Sequence, residues 1–127
     1  DYTCLGDSVN LASRLEGQSK PYGVKMVLGT KTAEYVKDQY PVVELDCIAV
    51  KGKKEGVKIF TIGETNRTKH DIYLEAYYRG DWTRALKTAK ELAKSDSTIT
   101  HYYENMIERM EEGLPANWDG VFRATSK

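Results

Sequence analysis

Hydrophobic and polar positions follow two different periods along this chain of 127 residues. Up to about Gly63 the apolar runs are short and divided by turn residues, which predicts alternating strands and helices. Tyr2–Leu5 reads as a short strand closed by Gly6. Asp7 or Ser8 then caps a helix on which Val9, Ala12, Leu15 and Glu16 keep helical spacing, and Pro21 and Gly23 end that run. Val24–Leu28 is expected as a strand, Thr30–Val36 as a short helix capped by Thr30, and Val42–Val50 as a strand with Val43, Leu45, Cys47 and Ile48. The Lys51-Gly52-Lys53 turn leads into Val57–Ile62, where Val57, Ile59 and Thr61 share a face. An antiparallel hairpin therefore joins these last two strands.

Beyond Gly63 the period changes. Glu64 to Lys69 is polar and breaks the strand pattern, and from His70 onward the spacing is helical. Ile72, Ala76 and Tyr77 give one apolar face, Ala85, Leu86, Ala89 and Leu92 a second, and Tyr102, Met106, Ile107 and Met110 a third. Gly80-Asp81 and Ser95–Thr98 separate the three helices, and Gly113 and Pro115 stop the last. Short connections favour antiparallel packing. The expected division is 1–64 as an α+β portion and 65–127 as a helical extension.

Composition narrows the partners. Nineteen basic residues balance nineteen acidic ones, so no global field draws the chain to nucleic acid or an anionic membrane, and an anionic ligand needs a local site. Cys4 and Cys47 lie far apart without a CxxC motif and read as buried or half-buried strand residues of a reducing compartment. No run approaches the roughly 18–20 apolar residues of a membrane-spanning helix. Asp1 opens without a basic and then apolar leader, as though the chain began inside a domain.

The chemistry concentrates in Asp7-Ser8-Val9-Asn10-Leu11-Ala12-Ser13-Arg14-Leu15. On a helix Asn10 and Arg14 are i and i+4, so both leave the same face, while Leu11 and Leu15 form an adjacent pair that can bury. Spacing alone suits two surface residues of an amphipathic helix. That reading is the favoured one on spacing, although the pair also suits recognition of a hydroxyl-bearing anion, because arginine offers a rigid fork to phosphate oxygens and asparagine both donates and accepts.

The longer string Asp1-Tyr2-Thr3-Cys4-Leu5-Gly6 running into that helix resembles the signature of class III adenylate and guanylate cyclases. Tyr22-Gly23 after the helix and the Val50-Lys51-Gly52-Lys53 turn with Val57 and Ile59 continue the resemblance over roughly the first half of the chain. The resemblance implies the C-terminal part of a ferredoxin-like cyclase domain that makes cyclic AMP from ATP. Arg14 is expected to stabilise charge on the phosphoryl group, Asn10 to orient the ribose, and Thr3 to read the purine, favouring ATP over GTP. It further implies two divalent ions, magnesium or manganese, in the complete domain, and a homodimer with shared active sites. The family's metal-binding aspartates precede the signature, so no metal ligand is expected in this chain, and the fragment alone is expected to be inactive.

Tyr78-Arg79-Gly80-Asp81-Trp82, with Ala85, Leu86 and Ala89, resembles one tetratricopeptide-like helical pair, expected to pack on the cyclase core or another copy. Trp118-Asp119-Gly120-Val121-Phe122 resembles the ending of bacterial cyclases with CHASE-type sensors, implying a cytoplasmic segment of a membrane-anchored parent. The competing reading is a non-catalytic dimerisation or adaptor module. His70 and His101 lack metal-ligand spacing and read as surface or packing residues. Lys51, Lys53, Lys54 and Lys58 form a solvated rim. Tyr77, Tyr78, Tyr102 and Tyr103 are expected between helices with their hydroxyls outward.

Overall fold

The expected hairpin pairs β1 (Val42–Ala49) with β2 (Gly56–Ile62), Val43 lying opposite Thr61 and Ile48 opposite Val57. The computed structural model describes residues 17–49 and 55–124, so the predicted Tyr2–Leu5 strand, its following helix, Cys4 and the Lys51-Gly52-Lys53 turn lie outside the described residues. The strict alternation expected for β1 fails at one point. A bulge falls between Glu44 and Asp46, where Glu44 pairs with Phe60 and Asp46 with Ile59. An extra residue reverses the inward phase of a strand. Leu45 and Asp46 are consequently both fully buried, Ile48 follows inward, and Cys47 is only half-buried with a free thiol.

Three expectations before the hairpin need correction or refinement. A separate turn of helix, α1 (Ser19–Tyr22), precedes Gly23, whose φ of 68° closes it. Helix α2 (Thr30–Val36) forms as expected, but Thr30 is its first residue and extended Gly29 takes the cap position without a side-chain bond. Val24–Leu28 is not a strand. The Val24 amide bonds back to the carbonyl of Ser19, the first residue of α1. The segment meets β2 through the Thr61 hydroxyl, which donates to the Met26 carbonyl, and through paired Leu28–Phe60 backbone bonds of 2.7 and 2.9 Å.

The helical half holds α3 (Arg67–Arg79), α4 (Trp82–Lys94) and α5 (Thr100–Glu111). Helix α3 begins before His70 because the Asn66 side chain caps it, accepting from the Lys69 amide at 3.0 Å. Gly80, at φ 92°, ends α3 in the left-handed conformation, and Asp81 caps α4 by accepting from the Arg84 amide. Two residues thus supply the whole connection. Of the expected face, Ala76 and Tyr77 are buried but Ile72 is exposed; His70, Tyr73, Leu74 and Tyr77 form the buried stripe at i, i+3, i+4 and i+7, with Ala76 beside it.

One hydrophobic cluster joins both halves. Val43, Leu45, Ile48 and Ile59 of the hairpin meet Tyr73, Tyr77, Ala89, Leu92, Tyr102 and Met106 of the helices. The chain then returns to the sheet: Phe122 exchanges backbone bonds with Cys47 and Ala49 along the outer edge of β1. Trp118 donates its indole N–H to the Tyr77 and Tyr78 carbonyls at the end of α3. Among the described residues no helix is long and apolar enough to cross a membrane.

Leu92 is fully buried within this cluster. Leu92→Ala is expected to cost about 2–5 kcal/mol through lost transfer energy and the cavity left behind. Chemical denaturation checks it; a loss below about 1 kcal/mol would mean that α4 is not held by the core.

Candidate functional site

Thr3, Asn10 and Arg14, the residues singled out by their chemistry, lie outside the described residues, as do Lys51, Lys53 and Lys54. What the structure places is the chain just downstream of Arg14, where α1 meets a buried polar cluster drawn from β1, α3 and α5. That cluster is built around Asp46.

The bulge in β1 turns the Asp46 carboxylate into the core, where it is fully buried. Such a charge is tolerable only when each oxygen is answered. Oδ1 accepts from the Cys47 amide at 2.7 Å and from the Tyr77 hydroxyl at 2.9 Å. Oδ2 accepts from the Tyr22 hydroxyl and from Arg109 Nη1, the latter at 2.7 Å. The same guanidinium donates to the Tyr77 oxygen at 2.9 Å and the Tyr22 oxygen at 3.2 Å. Each tyrosine therefore accepts from Arg109 while donating to Asp46. Burial first, and then the Asp46 charge, push both phenols far above their usual range, so they remain donors. Phe122 closes the outer side, its ring centroid 3.5 Å from the Arg109 guanidinium carbon.

A second relay runs beside it. His70 lies between the Glu44 carbonyl, 2.7 Å from Nε2, and the Tyr103 hydroxyl, 2.8 Å from Nδ1. A carbonyl only accepts, so Nε2 carries the proton and Nδ1 accepts from Tyr103, which in turn takes a bond from Thr65. Tyr102 donates to the carbonyl of the bulged Leu45. The outward hydroxyls expected for Tyr77, Tyr102 and Tyr103 are therefore inward and bonded. Tyr78 also turns to the sheet, donating to Glu44 at 2.7 Å. Among the described residues no buried side-chain nitrogen or oxygen lacks a partner.

His70 takes a packing role, whereas His101 is exposed beside Glu104. Lys58 pairs with Glu44 at 3.5 Å and stays on the rim. No group of three or more His, Cys, Asp or Glu among the described residues could hold a metal ion. Beside α1 an open cleft of about 530 Å³ is rimmed by Lys20, Lys25 and His101. Its basic rim suits an anion electrostatically, but those side chains are solvated.

Comparison with known proteins gives the context. Over 126 aligned residues, 86% of this chain, the sequence is 37% identical to a Dictyostelium discoideum protein called adenylate cyclase, terminal-differentiation specific. Over 61 residues, 48% of the chain, it is 34% identical to adenylate cyclase 1 of Rhizobium meliloti strain 1021. The chain spans only 6% and 9% of the length of these relatives. No family model matches the sequence. No solved structure matches it either. The chain is a segment related to adenylate cyclases.

Two predictions follow from the buried groups. Arg109→Met leaves the Asp46 charge buried without its cation and is expected to cost about 3–5 kcal/mol, whereas Asp46→Leu with Arg109→Met is expected to fall much nearer wild type. Equal losses in the single and double variants, measured by urea denaturation, would contradict the pairing. Burial lowers the His70 pKa from its ordinary 6.5, more than its bond to the Glu44 carbonyl raises it. As pH falls, the unfolded chain therefore takes up that proton first. The His70 contribution is full above about pH 6.5 and lost toward the lowered value, at up to about 1.4 kcal/mol per pH unit. Stability profiles between pH 8 and 5 check it: His70→Gln is expected to lose this acid limb, and parallel profiles would refute it.

Proposed function

We propose that the protein to which this chain belongs is an adenylate cyclase, and that residues 1–64 are the C-terminal portion of its ferredoxin-like catalytic domain. Residues 65–127 are then its helical extension. The observation that carries this reading is the Asp1–Leu15 signature, with Asn10 and Arg14 four positions apart in sequence, in a chain similar to two adenylate cyclases. The reaction forms a bond between the ribose 3′-oxygen and the α-phosphorus and breaks the bond to pyrophosphate, with loss of the hydroxyl proton. Arg14 holds the charge that grows on the phosphoryl oxygens, and its fixed planar fork suits that geometry. Asn10 orients the ribose, and the Thr3 hydroxyl meets the adenine edge.

Two divalent ions, magnesium or manganese, supply activation of the hydroxyl and neutralisation of the phosphates in the complete domain. The described residues hold no such cluster; the contribution proposed for this chain is that of Thr3, Asn10 and Arg14. We read the complete enzyme as a homodimer and, from the resemblance of Trp118–Phe122, as a membrane-anchored protein with this segment on the cytoplasmic side.

The test is turnover by the intact parent protein with manganese, ATP and GTP being compared. Cyclic AMP from ATP is expected, with Arg14→Ala lowering kcat by about 100–1,000-fold, as losing one electrostatic donor does elsewhere. A folded parent without turnover would favour the non-catalytic module, and preferential cyclic GMP formation would make it a guanylate cyclase.

A further inference from the structure

We infer that Tyr22, Asp46 and Arg109 form a clamp through which the helical extension positions the catalytic segment. The inference rests on the proposed catalytic role of Arg14. Helix α1 has four residues, too few to hold a position by its own hydrogen bonds. It begins five residues after Arg14 in sequence, so whatever fixes α1 limits where the preceding chain can run.

What fixes it is α5. Asn105 and Arg109, one turn apart on that helix, both reach α1: Asn105 Nδ2 donates to the Pro21 carbonyl at 2.9 Å, and Arg109 donates to the Tyr22 hydroxyl. Gly23 closes α1 against the same surface, where an added Cβ would stand 2.9 Å from the Asn105 side chain and 3.0 Å from the His101 backbone. Tyr22 then links α1 to Asp46, and thereby to the sheet. Three successive residues of the early chain are thus registered on a helix 78 to 87 positions later.

Directional bonds suit this task better than apolar packing, which tolerates sliding. A catalytic arginine needs placement to within a fraction of an ångström, and a displacement of about 1 Å can cost about 100-fold in rate. Tyr22, Asp46 and Arg109 are positioning residues, since they act through the chain that carries Arg14.

The experiment uses the full-length protein and measures kcat, KM for ATP and thermal stability in five variants, Arg109→Met among them. Tyr22→Phe removes one hydroxyl and keeps the ring; kcat is expected to fall about tenfold, with KM changed less than about twofold and the protein folded. In Asp46→Leu with Arg109→Met, stability is expected to recover relative to Arg109→Met while kcat stays low. Leu92→Ala, which weakens the same core away from the clamp, is expected to keep wild-type kcat per folded molecule. Arg14→Ala reports on the underlying reading. Wild-type kcat in Tyr22→Phe, or kcat recovering together with stability in the double variant, overturns the clamp, while loss of turnover in Arg14→Ala leaves the catalytic reading standing. Turnover that is absent from the unaltered protein, or that survives Arg14→Ala, overturns that reading and the clamp with it.

Discussion

A fully buried carboxylate sets the terms for this structure. Asp46 cannot remain charged inside the core unless four donors converge on it, and those donors come from different parts of the chain: Tyr22, its own neighbour Cys47, Tyr77 and Arg109. Replacing such a network by apolar side chains is often no loss in stability. Its effect is directional. A fully satisfied network of this kind restricts the mutual arrangement of α1, β1, α3 and α5 more tightly than apolar packing does. The bulge that presents Asp46 inward is the smallest feature of the fold and the one with the widest reach.

Much of the architecture was legible in the residues. Val43, Leu45 and the Val57–Thr61 alternation announced the hairpin, Gly80-Asp81 announced a break between two helices, and Tyr102, Met106 and Met110 announced the inner face of the last helix. The polar core was not read, although one part of its signal was present. Arg109 lies seven positions after Tyr102 and three after Met106, on the same helical stripe, and an arginine on a buried stripe calls for a buried acid. Asp46 carried no such mark. Period-two reasoning places it outward between Leu45 and Cys47, and a bulge is invisible to that periodicity. Ile72 misled in the opposite way, because an isoleucine weighs more in an apolar count than the tyrosines that fill this core. Of the candidate site, the pairing of Asn10 with Arg14 was legible only as a helical spacing. The catalytic roles proposed for them rest on the resemblance of the signature around them.

The packing of the hairpin against the helices is where the fold bears on the proposed function. Two adenylate cyclases align with this chain, one across 86% of it and therefore well into the helical half. The core likewise runs without interruption from Val43 and Ile59 to Leu92 and Met106. A helical segment packed in this way acts on the sheet by being part of its interior. Trp118 and Phe122 extend the same logic: after three helices the chain returns to seal the end of α3 and the free edge of β1. An otherwise exposed strand edge is thereby covered.

The central claim is that hairpin and helices form one cooperative body organised around Asp46. Native-state hydrogen exchange measures this directly, since independent units open with different free energies. The amides of Ile59 in β2, Ala89 in α4 and Met106 in α5 are expected to exchange through one common opening, with free energies agreeing within about 1 kcal/mol. Exchange of Ala89 and Met106 through a much lower-energy opening, while Ile59 stays protected, would contradict it.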